Sequence, residues 1–458
     1  MVLLALAMTS FGFAQNLSFE TGIIIDSVAV INSTDTFTLY LPKNFDKDKP
    51  ASVVFIFEPA ARGTIGIAPF IEASQKFGHI LICSNNSRNG LFEKNFTIID
   101  RLFNTVFERF TIDENLIYTA GFSGGSRLAT TVAVLTKQIQ GIVACGAGFS
   151  QNTSHIPSIN DSFSYVGLVG NSDMNYQEMQ GVKEWLDTFG IENEIFTNED
   201  DHRWPSSDQI LKAFNWLELQ AYKRNIKPKD DLIISTFYTE LYEEGKKLES
   251  DSEIELAVWE YDRMVRNFSA YYNLDTIKTK ISNLKKDKKY SSDSKKREGV
   301  KKEEAKLRKV FVERFNKEIS GLKTPEEFNW WHKELENLQK KYLLSEDEQF
   351  RKMGYRIGYA IYAMGVETAE SQFYKNNAKK RLYCHTIASL VAPDRPYAFY
   401  LLAKDYAILN NKDKTLENLS LAISKGLTDK AYITNTTAFL KYKDSVEFIR
   451  LLEGLNND

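Results

Sequence analysis

Ser123 stands at the centre of Gly121-Phe122-Ser123-Gly124-Gly125, and this pentapeptide is where the chain has the means to do chemistry. A G-x-S-x-G string lifts a serine off the end of a strand and into the first turn of a helix. Glycine at the flanking positions removes the side-chain clashes that so sharp a turn would create. The helix that follows points its positive N-terminal end at any oxyanion formed beside the serine. A serine hydroxyl becomes a nucleophile only when a base takes its proton, and the base needs a carboxylate to orient it. The chemistry in question is acyl transfer through a covalent intermediate.

Five histidines are available as the base. His332 and His385 fall in a helical C-terminal region, His79 precedes a strand ahead of the serine, and His155 lies in the loop after the following strand. Only His202, in Asp200-Asp201-His202-Arg203-Trp204-Pro205, comes after the last predicted strand. Asp173, in Asn171-Ser172-Asp173, leaves the strand before that one, which gives the order serine, acid, histidine. Alone, Asp173 reads as an Asx turn or helix cap and His202 as a loop histidine; in this order they read as a triad. Asp200 and Asp201 are rival acids, although sequence neighbours of a histidine rarely point at its ring.

Two N–H donors must face the oxyanion. One is Gly124, and the other comes from the loop Phe57-Glu58-Pro59-Ala60-Ala61-Arg62-Gly63. Pro59 has no N–H, so Ala60 is the first choice and Ala61 the second. Arg62 reads as one half of a structural ion pair, or as a contact for an acidic substrate group. Phe122 and Trp204 complete the substrate-facing set, with Trp204 equally suited to the core.

These residues need a scaffold. Apolar runs predict strands over 23–30, 36–41, 52–57, 80–85, 116–120, 141–146, 165–170 and 193–197, several with the continuous Val/Ile/Leu character of a sheet covered on both faces. Amphipathic spacing predicts helices over 67–77, 93–110, 127–135, 176–189 and 207–223. The expected class is α/β, a mixed and mostly parallel sheet flanked by helices over residues 20–225. From 229 to 458 the strand runs cease and charged helical stretches take over, including the pair formed by 236–248 with 253–268. The lysine-dense stretch 278–309 reads as an exposed helix–loop–helix face or connector, since acids interrupt it. Leu402, Ala403, Tyr406, Thr415, Leu419 and Ala422 have the spacing of a tetratricopeptide-like unit, so an all-α helical-repeat domain is expected there.

A length of 458 residues suits two or three domains, and a net charge of -3 argues against a nucleic-acid partner. Met1–Gln15 resembles the apolar core and cleavage end of a secretory signal without its basic start. It is too short to span a bilayer. Export to the periplasm or the outside is the expectation. Cys83, Cys145 and Cys384 form no framework and read as buried small hydrophobes, and no metal-ligand spacing or cofactor motif is evident.

The strings VVFIFEPAARG, GFSGGSR, GNSD and DHRWP, in that order, resemble the α/β-hydrolase fold. Within it they are most similar to secreted esterases of the dienelactone-hydrolase, feruloyl-esterase and polyhydroxybutyrate-depolymerase-like group, where a His-x-Trp-Pro ending recurs. The resemblance covers residues 20–225 and departs at Glu58-Pro59, where many such esterases carry His-Gly. It implies a serine esterase without cofactor. The segment 150–163 is too short for a cap domain, which predicts an uncapped cleft for an acyl group on something bulky such as a polysaccharide. Rival expectations are a catalytically silent scaffold that binds a protein partner through its helices, and a serine peptidase of the same fold.

Overall fold

The computed structural model describes residues 19–321, 327–453 and 455. The predicted secretory segment Met1–Gln15 lies outside them. Eight strands form one sheet: β1 (Ile24–Ala29), β2 (Thr36–Tyr40), β3 (Ala51–Phe57), β4 (Ile80–Ser84), β5 (Ile112–Phe122), β6 (Gly141–Cys145), β7 (Ser164–Gly170) and β8 (Asn193–Asn198). Their order is β1-β2-β4-β3-β5-β6-β7-β8. β2 pairs antiparallel with both β1 and β4, whereas β3–β4, β3–β5, β5–β6 and β6–β7 are parallel. Val53–Phe57, Ile80–Cys83 and Ile142–Cys145 are wholly buried. That is the state their unbroken apolar runs require.

The connecting helices are α1 (Gly63–Ile67), α2 (Ile71–Phe77), α3 (Phe92–Arg109), α4 (Gly124–Thr136), α5 (Tyr176–Asp187) and α6 (Ser207–Lys223). One helix expected over 67–77 is divided, because Pro69 sits in a 3-10 turn (Ala68–Phe70) and has no N–H to continue the ladder. β5 is longer than the run 116–120. Its ladder continues through Gly121, opposite Phe57 and Ala144, to Phe122, opposite Cys145, so Ser123 is the first residue off the sheet.

Packing divides the chain into two units. The first holds the chain up to Leu168 with Leu186–Glu194 and Trp204–Glu218; the second holds Val169–Trp185, Ile195–Arg203 and everything from Leu219 on. The ends of β7 and β8, with the loops carrying Asp173 and His202, pack with the helical region.

That region contains α7 (Asp231–Ser250), α8 (Ile254–Phe268), α9 (Asp275–Leu284), α10 (Lys288–Ser320), α11 (Asn329–Leu338), α12 (Glu348–Glu370), α13 (Ala378–Val391), α14 (Pro396–Ile408), α15 (Lys412–Ser424), α16 (Lys430–Thr434) and α17 (Val446–Leu452). The lysine-dense stretch is α9, a short turn and α10, whose start is capped by the Asp287 carboxylate accepting from the Lys289 N–H at 2.8 Å. Along α10, Phe311, Phe315 and Ile319 pack with Trp331, Met353 and Ile357. Ala403 of α14 packs with Leu419 and Ala422 of α15 in another core. No helix of the described residues is long and apolar enough to cross a membrane. The three cysteines are buried thiols, and burial pushes Cys384 up to about 12.

Gly125 shows how tightly α4 seats on the sheet. A Cβ there would lie 2.0 Å from the Phe57 carbonyl oxygen, a backbone atom at the end of β3. We expect Gly125→Ala to destabilise the first unit by about 3 kcal/mol, near the upper end for overpacking. Thermal unfolding followed by circular dichroism measures the loss.

Candidate active site

Ser123 adopts φ 53° and ψ -120°, a region that residues with a Cβ rarely occupy. Its N–H donates to Cys145 O at 2.8 Å, and its carbonyl accepts the N–H groups of Ser126 at 3.0 Å and Arg127 at 3.2 Å. Strand and helix thus hold the strained residue from both sides. A Cβ on Gly121 would meet Gly125 O at 2.3 Å, which is the clash the flanking glycine avoids. Gly124 opens α4, so its N–H lies among the first four, which have no acceptor within the helix. Its Cα also carries a close neighbour: a Cβ there would lie 1.9 Å from Asn89 Oδ1.

The loop after β3 departs from expectation. Glu58 is buried and turns its carboxylate back over its own loop. Oε2 accepts the Ala60 N–H at 2.7 Å and the Arg62 N–H at 3.0 Å, while the Glu58 carbonyl accepts the Ala61 N–H at 3.0 Å. Both candidates for the second oxyanion donor, Ala60 and Ala61, are therefore directed at Glu58. A buried carboxylate must be neutralised and hydrogen-bonded, and these amides are the nearest donors. The Arg62 guanidinium completes the arrangement by pairing with Glu58, its Nε donating to Oε1 at 3.1 Å. This is the structural role weighed for Arg62 rather than the substrate contact.

Phe122 and Trp204 face each other with ring centroids 5.4 Å apart, and Trp204 also meets Phe70 edge-on at 5.9 Å. Both rings belong to an aromatic cluster within the first unit.

In the second unit His202 Nδ1 and Asp173 Oδ2 are 2.8 Å apart, and Asp173 Oδ1 accepts the Asn175 N–H at 2.7 Å. The side chains are 6% and 1% exposed, so the pair is dry. With Nδ1–H donating to the carboxylate, the ring presents Nε2 as the basic nitrogen. Backbone contacts bring the two loops together. Asn171 N–H donates to Asn198 O at 2.8 Å and Ser172 N–H to Asp200 O at 3.1 Å. Gly170 lies so close to Asp200 that a Cβ would fall 2.1 Å from its carbonyl oxygen. The rival acid Asp201 is paired with Arg203, which holds its carboxyl below the usual range.

His202 is not open to solvent. Its ring packs against Tyr359 of α12, centroids 5.4 Å apart, and the Arg395 guanidinium lies over Tyr359 at 4.7 Å and Tyr362 at 5.0 Å. Burial pushes both tyrosine hydroxyls up. Tyr359, Tyr362, Arg395, Asp200, Asp201 and Arg203 help to line a cavity of about 630 Å³. The segment 150–163 makes only a 3-10 turn (Thr153–His155), and the cover over His202 comes from α12 instead.

The remaining histidines serve packing or the surface. His79 is buried with Nδ1 2.6 Å from Ser52 Oγ, and His155 lies against Phe92 and Phe96. His385 pairs with Asp405 in the helical unit, and His332 is exposed. Asn89, Tyr359 and Arg395 carry no motif that sequence reading could have used. Among the described residues no group of His, Cys, Asp and Glu is arranged to hold a metal ion.

A mostly parallel eight-stranded sheet in this order, flanked by helices and carrying a strained serine between β5 and α4, is the α/β-hydrolase fold. No protein-family model matches the sequence. No curated protein matches it either. Among solved structures it is similar to S-formylglutathione hydrolase from Staphylococcus aureus, at 17% identity over 43% of this chain and 95% of that one, TM-score 0.36. It is also similar to the feruloyl esterase module of Clostridium thermocellum, at 14% identity over 40% and 83%, TM-score 0.33. A third is the acylaminoacyl peptidase of Pyrococcus horikoshii, at 12% identity over 46% and 43%, TM-score 0.36.

Proposed function

We propose that this chain is a serine hydrolase acting on carboxylic esters, with Ser123 as nucleophile, His202 as general base and acid, and Asp173 as the orienting carboxylate. The observation that carries the reading is the dry Asp173–His202 bond of 2.8 Å, in a chain whose strained Ser123 precedes both in hydrolase order.

In the first half-reaction Ser123 Oγ bonds to the ester carbonyl carbon while its proton passes to His202 Nε2. The C–O bond then breaks and that proton leaves with the alcohol. Water repeats the sequence, frees the acid and restores Ser123. The Gly124 N–H is one oxyanion donor. With Ala60 and Ala61 directed at Glu58, the Asn89 side-chain amide packed over Gly124 is our choice for the other.

For the substrate we propose an ester of a bulky, hydroxyl-rich alcohol, such as an acylated carbohydrate. The cavity beside His202 has the volume of a small-molecule site. Its charges are largely compensated, Glu199 by Lys352 and Asp201 by Arg203. Tyrosine faces with neutralised polar groups suit a neutral polyhydroxylated ring. The apolar start, Met1–Gln15, supports export.

A fluorophosphonate probe tests the catalytic reading. We expect one stoichiometric adduct that peptide mass spectrometry places on Ser123. An unlabelled native protein, or an adduct elsewhere, refutes it.

A further inference from the structure

We infer that the helical unit positions the acid of the triad, through a clamp made by Glu304 and Arg308 of α10 with Arg356 of α12. The inference rests on the reading of Asp173 as the orienting carboxylate. Asp173 lies between two backbone carbonyls, and an arginine holds each. Arg356 Nη1 donates to Asn171 O at 2.7 Å, and Arg308 Nη2 donates to Met174 O at 2.6 Å.

Glu304 fixes both guanidinium groups. Arg356 Nε lies 3.1 Å and 3.0 Å from its two carboxylate oxygens, and Arg356 Nη2 pairs with Oε2 as well. Arg308 Nε donates to Oε1 at 3.1 Å, and Gln177 Nε2, in the first turn of α5, donates to Oε2 at 3.1 Å. Glu304 is 1% exposed and Arg356 4%. A carboxylate this deep persists only when paired, and here its partners leave one donor each for the loop. The Arg356 guanidinium also lies over the Tyr176 ring at 5.1 Å, so the fork has no freedom to swing away.

The consequence reaches catalysis because the clamped segment is so short. Asp173 is flanked by the two held carbonyls, and its Oδ2 meets His202 at 2.8 Å. Releasing either carbonyl lets the carboxylate drift relative to the imidazole, and errors of an ångström in such geometry are costly. On this view the helices are a working part of the hydrolase, which their distance from the serine in sequence conceals.

The test uses the full chain, p-nitrophenyl acetate, four single variants and one double variant. We expect Glu304→Gln and Arg356→Lys each to lower kcat by about tenfold to a hundredfold with little change in KM. Glu318→Gln serves as the control. It disturbs a buried network on the same helix, where Trp331 and Tyr383 donate to Glu318 at 2.8 and 2.7 Å, away from the 171–174 loop. It should lower thermal stability and leave kcat unchanged.

The deciding arm combines Glu304→Gln with Asp173→Asn. A clamp that acts only through Asp173 has nothing further to lose in that background, so the double variant should match Asp173→Asn alone. The proposal is overturned if Glu304→Gln slows both backgrounds equally, or if Glu318→Gln lowers kcat as much as Glu304→Gln. A slow Asp173→Asn beside a Glu304→Gln as fast as wild type rejects the clamp and keeps the triad. An Asp173→Asn as fast as wild type removes the acid itself, and the clamp with it.

Discussion

Ser123→Ala should lower kcat for p-nitrophenyl acetate by about 10⁵- to 10⁶-fold, with KM little changed and the fold intact. In the proposed mechanism the whole first half-reaction runs through Oγ, and no other group at the elbow would form the acyl intermediate. Binding and the oxyanion donors survive the substitution, so a residual rate above that of water is expected rather than none. Alanine needs no new space, and the positive φ of 53° is a cost that serine already bears. Thermal unfolding should therefore be near that of wild type, which separates loss of chemistry from loss of structure. Equal rates for the two proteins would sink the assignment of the nucleophile.

Asp173→Asn should cost about 10⁴-fold in kcat, again with KM nearly constant. Asparagine fits the same space, accepts the Asn175 N–H and leaves the loop in place. What it cannot do is stabilise the imidazolium that forms as His202 takes the serine proton. If the amide presents its NH₂ group to Nδ1, the ring must also adopt the wrong tautomer. The pair is 1% and 6% exposed, so water cannot stand in for the missing charge. Steady-state kinetics on purified enzyme give the answer, and a variant within tenfold of wild type would show that Asp173 is not the orienting acid. The low carboxyl of Asp201 then becomes informative: its pairing with Arg203 explains why it is not a ready substitute.

Legibility followed the range of the forces involved. The strands of the sheet could be read because Val53–Phe57, Ile80–Cys83 and Ile142–Cys145 are buried on both faces, which leaves an unbroken apolar run in the sequence. Their exact ends were less plain. The extra length at the end of β5 comes from ladder pairing with Phe57 and Cys145, and the break at Pro69 from one missing donor. The choice of Ala60 as oxyanion donor failed for a local reason of another kind. Nothing in Glu58-Pro59-Ala60 says whether the glutamate points outward or, as here, folds back on the amides.

The strained turn at Ser123, and the places of Asp173 and His202 after successive strands, could be read from the sequence itself. Backbone sterics select glycine around Ser123, and apolar strand runs mark which loops carry Asp173 and His202. What surrounds the acid–histidine pair was decided by tertiary structure alone. Tyr359 against His202, and Arg308 and Arg356 on the carbonyls beside Asp173, join residues more than a hundred positions apart. Such contacts follow no period and need no motif, because helix packing, rather than local conformation, brings their partners within reach.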